Sequence, residues 1–148
     1  MVLRILHWIC RLGLAGTFFY TGYIKLGPGL LEPNLQFAAV LYGYRLFPEP
    51  LLMPLARYFP WVEIALAILL LVGWKMRYVA LAACALIASF ISILTITYLR
   101  GIDANCGCFS FDDRIGPLTI VRDGLILLPA LYLLAETVWS PRTAVQRS

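Results

Sequence analysis

The sequence predicts an all-α fold, an integral membrane four-helix bundle, and three observations point there. First, 61% of the 148 residues are hydrophobic and only 14% are charged, against roughly 25% charged in ordinary soluble domains. Mean hydropathy is +0.84, and so few charges would not cover the surface of a soluble domain of this size. Second, four apolar segments lie at about residues 5–25, 52–73, 78–99 and 117–138. Each is long enough as a helix to cross a hydrocarbon core of ~30 Å. Third, none of the four alternates apolar and polar residues as a barrel strand does, which leaves helices as the spanning form. No internal repeat or low-complexity tract divides the chain, so residues 1–148 read as a single transmembrane domain.

The first segment, in "MVLRILHWICRLGLAGTFFYTG", opens like a signal peptide, with basic residues before an apolar run. No small-x-small cleavage site follows and the run continues, so it reads as the first spanning helix. The second segment carries Pro60 and Glu63 inside it. The third has no charge between Arg77 and Arg100 and extends about 33 Å as a helix. The fourth holds Arg122 and Asp123 in its first third and Pro129 later. The short link "WKMR" makes the second and third helices antiparallel neighbours. The link "GPGLLEPNLQFAAVLYGYRLFPEP" joins the first and second. In it Asn34 suits a helix N-cap, and Leu35, Ala38, Ala39, Tyr42 and Leu46 then share one helical face. A short interfacial helix lying on the bundle is one reading of this link; an irregular loop is the other.

The net charge of +4 does not indicate nucleic acid. The basic residues are scattered singly, as at the ends of membrane helices. Arg4, Arg11, Lys75, Arg77, Arg142 and Arg147 fall on one side, and Lys25, Arg45, Arg57, Arg100 and Arg114 on the other. The denser first set is expected to face the cytoplasm. The expectation is a multi-pass protein of the cell inner membrane with both termini cytoplasmic and the third link periplasmic.

That third link holds the candidate site. In "RGIDANCGCFSFDD" Cys106 and Cys108 flank one glycine. Disulfide geometry needs Cα atoms roughly 4.4–6.8 Å apart, which a turned Cys-Gly-Cys can meet, with the glycine relaxing the backbone. Such a ring constrains almost no chain and adds little stability, and its strain makes it easier to reduce than a structural bond. The pair therefore reads as a redox-active dithiol, and the protein as a candidate thiol-disulfide oxidoreductase. Two other readings stand beside it. The pair would capture a soft metal ion in a handling or transport protein, or the chain would be a non-catalytic subunit of a larger membrane complex. A resident metal centre is not expected, because Cys-x-Cys supplies two ligands and His7, the sole histidine, lies toward the opposite face. Cys10 and Cys84 read as small buried hydrophobes.

Glu63, Lys25, Arg122 and Asp123 lie at depths where facing lipid is costly. An internal polar cluster beneath the cysteine loop is expected, with Glu63 paired to Lys25 or to Arg122. It would fix helix packing, or tune the thiols: a cation favours the thiolate and a carboxylate relays its proton. Arg100 and Arg114 are further candidates for the cation. No motif requires a cofactor. A quinone headgroup would need an aromatic pocket such as Tyr20, Tyr23, Trp61 and Phe109 would line, though aromatic residues at that depth more often form an interfacial belt.

Four stretches in order resemble the MauE/DoxX group of small four-helix membrane proteins, the MauE branch most closely. They are "GYIKL" (22–26), "PWVEIALAILLLVG" (60–73), "RGIDANCGCF" (100–109) and Arg122–Asp123. The branch commonly continues Cys-Gly-Cys-Phe-Gly, where this chain has Ser110. The resemblance implies a redox-associated protein that works with a periplasmic thioredoxin-like partner, or a disulfide-containing substrate, in disulfide formation of methylamine dehydrogenase. DsbB and vitamin K epoxide reductase offer an analogy, passing electrons from thiols to quinone. They use two outer cysteine pairs, whereas only Cys106 and Cys108 are placed there in this chain.

Overall fold

The structure is a computed structural model that describes residues 1–26, 34–107 and 109–139. Its helices are α1 (Val2–Lys25), α2 (Leu35–Gly43), α3 (Glu49–Val72), α4 (Met76–Leu99) and α5 (Pro117–Trp139). All but α2 are long and apolar enough to cross a membrane. They run up, down, up and down, so that α2 and the cysteine-bearing link share one end with the C-terminus of α1. The spans begin and end within three residues of the limits read from the hydropathy pattern.

Buried small residues let the helices approach. Ala67, Ala80, Ala83 and Ala130 each have 0% of their surface exposed, the kind of packing that lipid-embedded helices use where no hydrophobic force drives them together. Leu14, Phe18, Leu66, Leu70 and Leu133 fill the space around them. Cys84 is buried in this core and Cys10 packs against it, both as expected of small apolar residues. Apolar side chains such as Leu71, Leu81, Leu125 and Leu128 point outward, where a bilayer would meet them.

The tightest seam is α1 on α3. A Cβ built on Gly22 would lie 2.8 Å from Ile64 Cγ1 and 3.0 Å from the Pro60 carbonyl oxygen. At the other end of the same seam, buried Arg11 donates from Nε to the Leu70 carbonyl and from Nη2 to the Leu71 carbonyl (2.7 Å). These are carbonyls of the last turn of α3, which lack helical donors and attract cations. Gly73 closes that helix at φ +79°, and a side chain there would collide with the Arg11 guanidinium. Nearby, His7 Nδ1 meets Glu136 Oε2 at 2.5 Å and ties α1 to α5.

The short helix between the first two spans is present. Asn34 caps it, its side chain accepting from the backbone N–H of Gln36 (2.9 Å) and Phe37 (3.3 Å). The face it buries differs from the one expected. Phe37, Ala38, Val40, Leu41 and Tyr44 are buried, so of the expected face only Ala38 is, whereas Leu35, Ala39, Tyr42 and Leu46 are exposed. The helix is apolar nearly all round, so periodicity alone does not choose a face. The buried face carries Phe37 and, just past the helix, Tyr44, which meet the Lys25 ammonium, the Phe59 ring and the Cys106 carbonyl.

Gly22→Val is expected to lower the thermal midpoint of the detergent-solubilised protein, by overpacking worth about 1–3 kcal/mol. Gly16→Ala, with no neighbouring atom within 4 Å of the added carbon, is its control and should not lower it. Equal midpoints for Gly22→Val and the parent chain would contradict the close α1–α3 seam.

Candidate functional site

At the end of the α1–α3 seam, Lys25 Nζ donates to Glu63 Oε1 at 2.7 Å, and both side chains are almost wholly buried. Of the two partners expected for Glu63, the structure selects Lys25. Three rings surround the ammonium, Phe37 at 5.4 Å, Phe59 at 5.3 Å and Phe90 at 5.5 Å from their centroids. An ammonium so placed gains from the negative faces of the rings. The second carboxylate oxygen, Glu63 Oε2, is buried without a hydrogen-bond partner among the described residues. Thr21 lies within reach of the carboxylate, and its hydroxyl is also 3.3 Å from the Phe18 carbonyl. Thr17, Thr21, Lys25, Glu63, Asp123 and Phe109 help to line one cavity of about 60 Å³ in this half of the bundle.

Above the cavity, the link between α4 and α5 folds back on itself. The Cys106 N–H donates to the Asp113 carbonyl (2.6 Å) and the Ile115 N–H to the Ala104 carbonyl (3.0 Å), around an antiparallel bridge between Asn105 and Arg114. The hydroxyl of Tyr44, which caps the C-terminus of α2, donates to the Cys106 carbonyl. Gly107 adopts φ +66°, and a Cβ on it would lie 2.9 Å from Val40 Cγ1. A glycine between the cysteines is therefore required twice, by the left-handed backbone and by the contact with α2. Cys106 itself has no exposed surface. Cys108, the second expected site residue, lies outside the described residues, as do Arg142 and Arg147.

The cation nearest the Cys106 sulfur among the described residues is Arg122, whose Nη2 is 3.7 Å from Sγ. The same guanidinium reaches Asp113 Oδ2 at 3.2 Å and Asp123 Oδ1 at 3.3 Å and lies 4.5 Å over the Phe109 ring. Two carboxylates and a ring thus fix the guanidinium against the sulfur. Asp123 is buried. Arg100 points instead toward the Arg45 carbonyl, at 3.5 Å, and Arg114 is exposed at the bridge. Of the aromatic residues expected at this depth, Tyr20, Tyr23 and Trp61 are exposed. Phe109 instead turns inward, stacked on Tyr20 with centroids 6.2 Å apart.

The structure thus joins Lys25 to Glu63 and Arg122 to Asp123 and Cys106. Sequence reasoning missed Tyr44, Asp113 and the three rings around Lys25. One signal was present. Phe37, Val40, Leu41 and Tyr44 follow the i, i+3, i+4, i+7 spacing of a buried helix face. No comparable pattern marks Phe59 or Phe90, which lie on different spans and meet only through the fold. Among the described residues no group of three or more His, Cys, Asp or Glu side chains gathers as a metal centre would.

Comparison with known proteins completes the description. No solved structure matches the chain. Methylamine utilization protein MauE of Methylophilus methylotrophus is 32% identical over 109 residues, covering 71% of this chain and 57% of that relative. The chain therefore spans little more than half the length of this curated relative. The family described as methylamine utilisation protein MauE matches residues 3–136. That match runs from the first turn of α1 to the Glu136 that holds His7, and the chain belongs to the MauE family.

Proposed function

We propose that this multi-pass membrane protein oxidises thiols of a soluble partner through a disulfide between Cys106 and Cys108. The observation that carries the proposal is the Arg122 guanidinium held 3.7 Å from the sulfur of a fully buried Cys106. A partner cannot reach a sulfur with no exposed surface, so Cys108 is assigned the contact with it. A partner thiolate attacks the Cys108 sulfur, the Cys106–Cys108 bond breaks, and Cys106 leaves as a thiolate. A cation at that sulfur stabilises the leaving group. A second partner thiolate then attacks the mixed disulfide and releases Cys108. The partner loses two electrons and gains a disulfide, and the cysteine pair gains the two electrons.

The orientation that serves this reaction has both termini in the cytoplasm and the cysteine loop outside the inner membrane, where disulfides persist. The partner is then a periplasmic thioredoxin-like protein or the protein that finally carries the disulfide. The relative's name places it in methylamine utilisation, so methylamine dehydrogenase is the proposed final recipient.

Two outcomes test this reading. A partner that lacks its second cysteine should be trapped on Cys108 of the parent chain as a mixed disulfide, visible on a non-reducing gel, and Cys106→Ser/Cys108→Ser should trap nothing and lose activity. Full activity in the double variant would overturn the exchange reading and leave a role in assembly. Arg122→Gln should slow exchange roughly tenfold, the scale of one lost charge-assisted interaction. The pH profile for reoxidation of the reduced pair should move to higher pH in the same variant, because removing the cation disfavours the Cys106 thiolate, and Arg122→Lys should restore part of both. An unchanged profile in Arg122→Gln would remove Arg122 from the reaction.

A further inference from the structure

We infer that the groove between α2 and the cysteine loop binds an extended, basic segment of the soluble partner as an added β-strand, paired with the backbone of Asn105. That this segment carries the reacting cysteine rests on the exchange reading above; its fit to the groove does not. The first observation is the groove itself. It measures about 390 Å³, within the ~300–1,000 Å³ of ligand sites. Gln36, Ala39 and Gly43 of α2 form one wall, and Asp103, Asn105 and Asp112 of the link form the other. No spanning helix contributes to it, so it is reached from water and not from the bilayer core.

The second observation is an open strand edge. The bonds from Cys106 to Asp113 and from Ile115 to Ala104 flank Asn105 and Arg114, which makes those two a non-hydrogen-bonded antiparallel pair. The N–H and C=O of Asn105 therefore turn away from Arg114, and neither bonds another backbone group among the described residues. Such an edge is a template for another chain, and main-chain bonds to it supply affinity while side-chain contacts supply specificity. The third observation is charge. Asp103 and Asp112 are exposed, and no cation pairs with either among the described residues. No lysine or arginine lines the groove.

These features select among occupants. A small amine would meet the carboxylates but leave the backbone of Asn105 unmatched. An anionic headgroup or a free phosphate would be repelled. An extended basic segment satisfies both features. Its backbone pairs with Asn105, and its successive side chains point to opposite faces. Lysine or arginine at alternate positions then meets Asp103 and Asp112, and the side chains between them meet Ala39 and Phe111. The groove also ends beside the chemistry. Val40 lines it and packs so closely on Gly107 that a Cβ there would lie 2.9 Å from Val40 Cγ1. Gly107 precedes Cys108, and three residues of chain span at most ~11 Å. A partner cysteine about three residues from the paired position therefore reaches Cys108.

The test is fluorescence anisotropy of a labelled peptide of lysine alternating with valine, titrated with the full chain in zwitterionic lipid nanodiscs. The peptide contains no cysteine, so binding is read apart from exchange. The parent chain and Cys106→Ser/Cys108→Ser should bind it saturably with equal affinity. Asp103→Asn/Asp112→Asn should bind roughly tenfold more weakly, the scale of two exposed ion pairs. Glutamate in place of lysine in the peptide should cost at least as much. Methylating alternate backbone nitrogens blocks one edge of the peptide, and one of the two alternating sets should weaken binding roughly fivefold. Ala39→Trp, at an exposed position of α2, fills the groove and should abolish binding. No saturable binding by the parent chain, or parental affinity in Ala39→Trp, would overturn the inference. So would equal affinity for the lysine and glutamate peptides, or for the parent peptide and both methylated sets. Binding lost when two copies share a nanodisc would assign the groove to a second copy and overturn it as well. None of these results touches the mixed-disulfide trap, so the two readings fail separately.

Discussion

A lysine ammonium with 2% of its surface exposed sits inside a bundle whose outer faces are apolar, and the rest of the structure is arranged around it. A single unpaired charge at the centre of a spanning helix costs about 2.5–3.5 kcal/mol on insertion scales. Removing one partner of a buried ion pair costs about 3–5 kcal/mol. Lys25 therefore demands Glu63, and their 2.7 Å contact fixes the register of α1 against α3. Gly22, one turn earlier on α1, supplies the close approach that lets the two helices meet at that register. The three phenylalanines that surround the ammonium belong to α2, α3 and α4, so one charge draws four helices together.

The cysteine loop inherits its position from this arrangement. Phe37 packs on Lys25, which sets the roll of α2, and the same roll presents Val40 to Gly107 and Tyr44 to the Cys106 carbonyl. From the other side Arg122 is aimed by Asp113 and Asp123. A flexible link would hold two cysteines anywhere along its length. Here one of them is pinned by its backbone from α2 and faced at its sulfur from α5. The opposite end of the bundle uses the same device for another purpose. Arg11 neutralises the open carbonyls of α3 and His7 meets Glu136, so both ends of α1 are locked by buried polar contacts while its middle packs by small residues.

Much of this was legible in the sequence because the membrane simplifies the physics. Twenty apolar residues without a charge have few fates, so the four spans and their order followed directly, and the charges inside them marked themselves as partners. The pairing of Glu63 was narrowed to two candidates, and depth alone did not decide between them; the choice follows from α1 and α3 being tight neighbours, which a hydropathy pattern does not record. Of the face formed by Leu35, Ala38, Ala39, Tyr42 and Leu46 only Ala38 is buried, because a helix apolar on every side offers no contrast. Arg122 rather than Arg100 or Arg114 meets the sulfur because the loop folds back through Asn105 and Arg114, a tertiary closure with no signature in spacing. Tyr44 shares the spacing of a buried face with Phe37, but the bond of its hydroxyl to a backbone carbonyl far along the chain has no such signature.

The central claim is that the Cys106 and Cys108 thiols form a pair that exchanges electrons. The direct measurement is to purify the protein without reductant, map its disulfides by mass spectrometry, and titrate it against a glutathione redox buffer. The account predicts one reversible Cys106–Cys108 bond that follows a two-electron curve, with Cys10 and Cys84 remaining reduced inside the apolar core. Two thiols that never pair under oxidising conditions would contradict it.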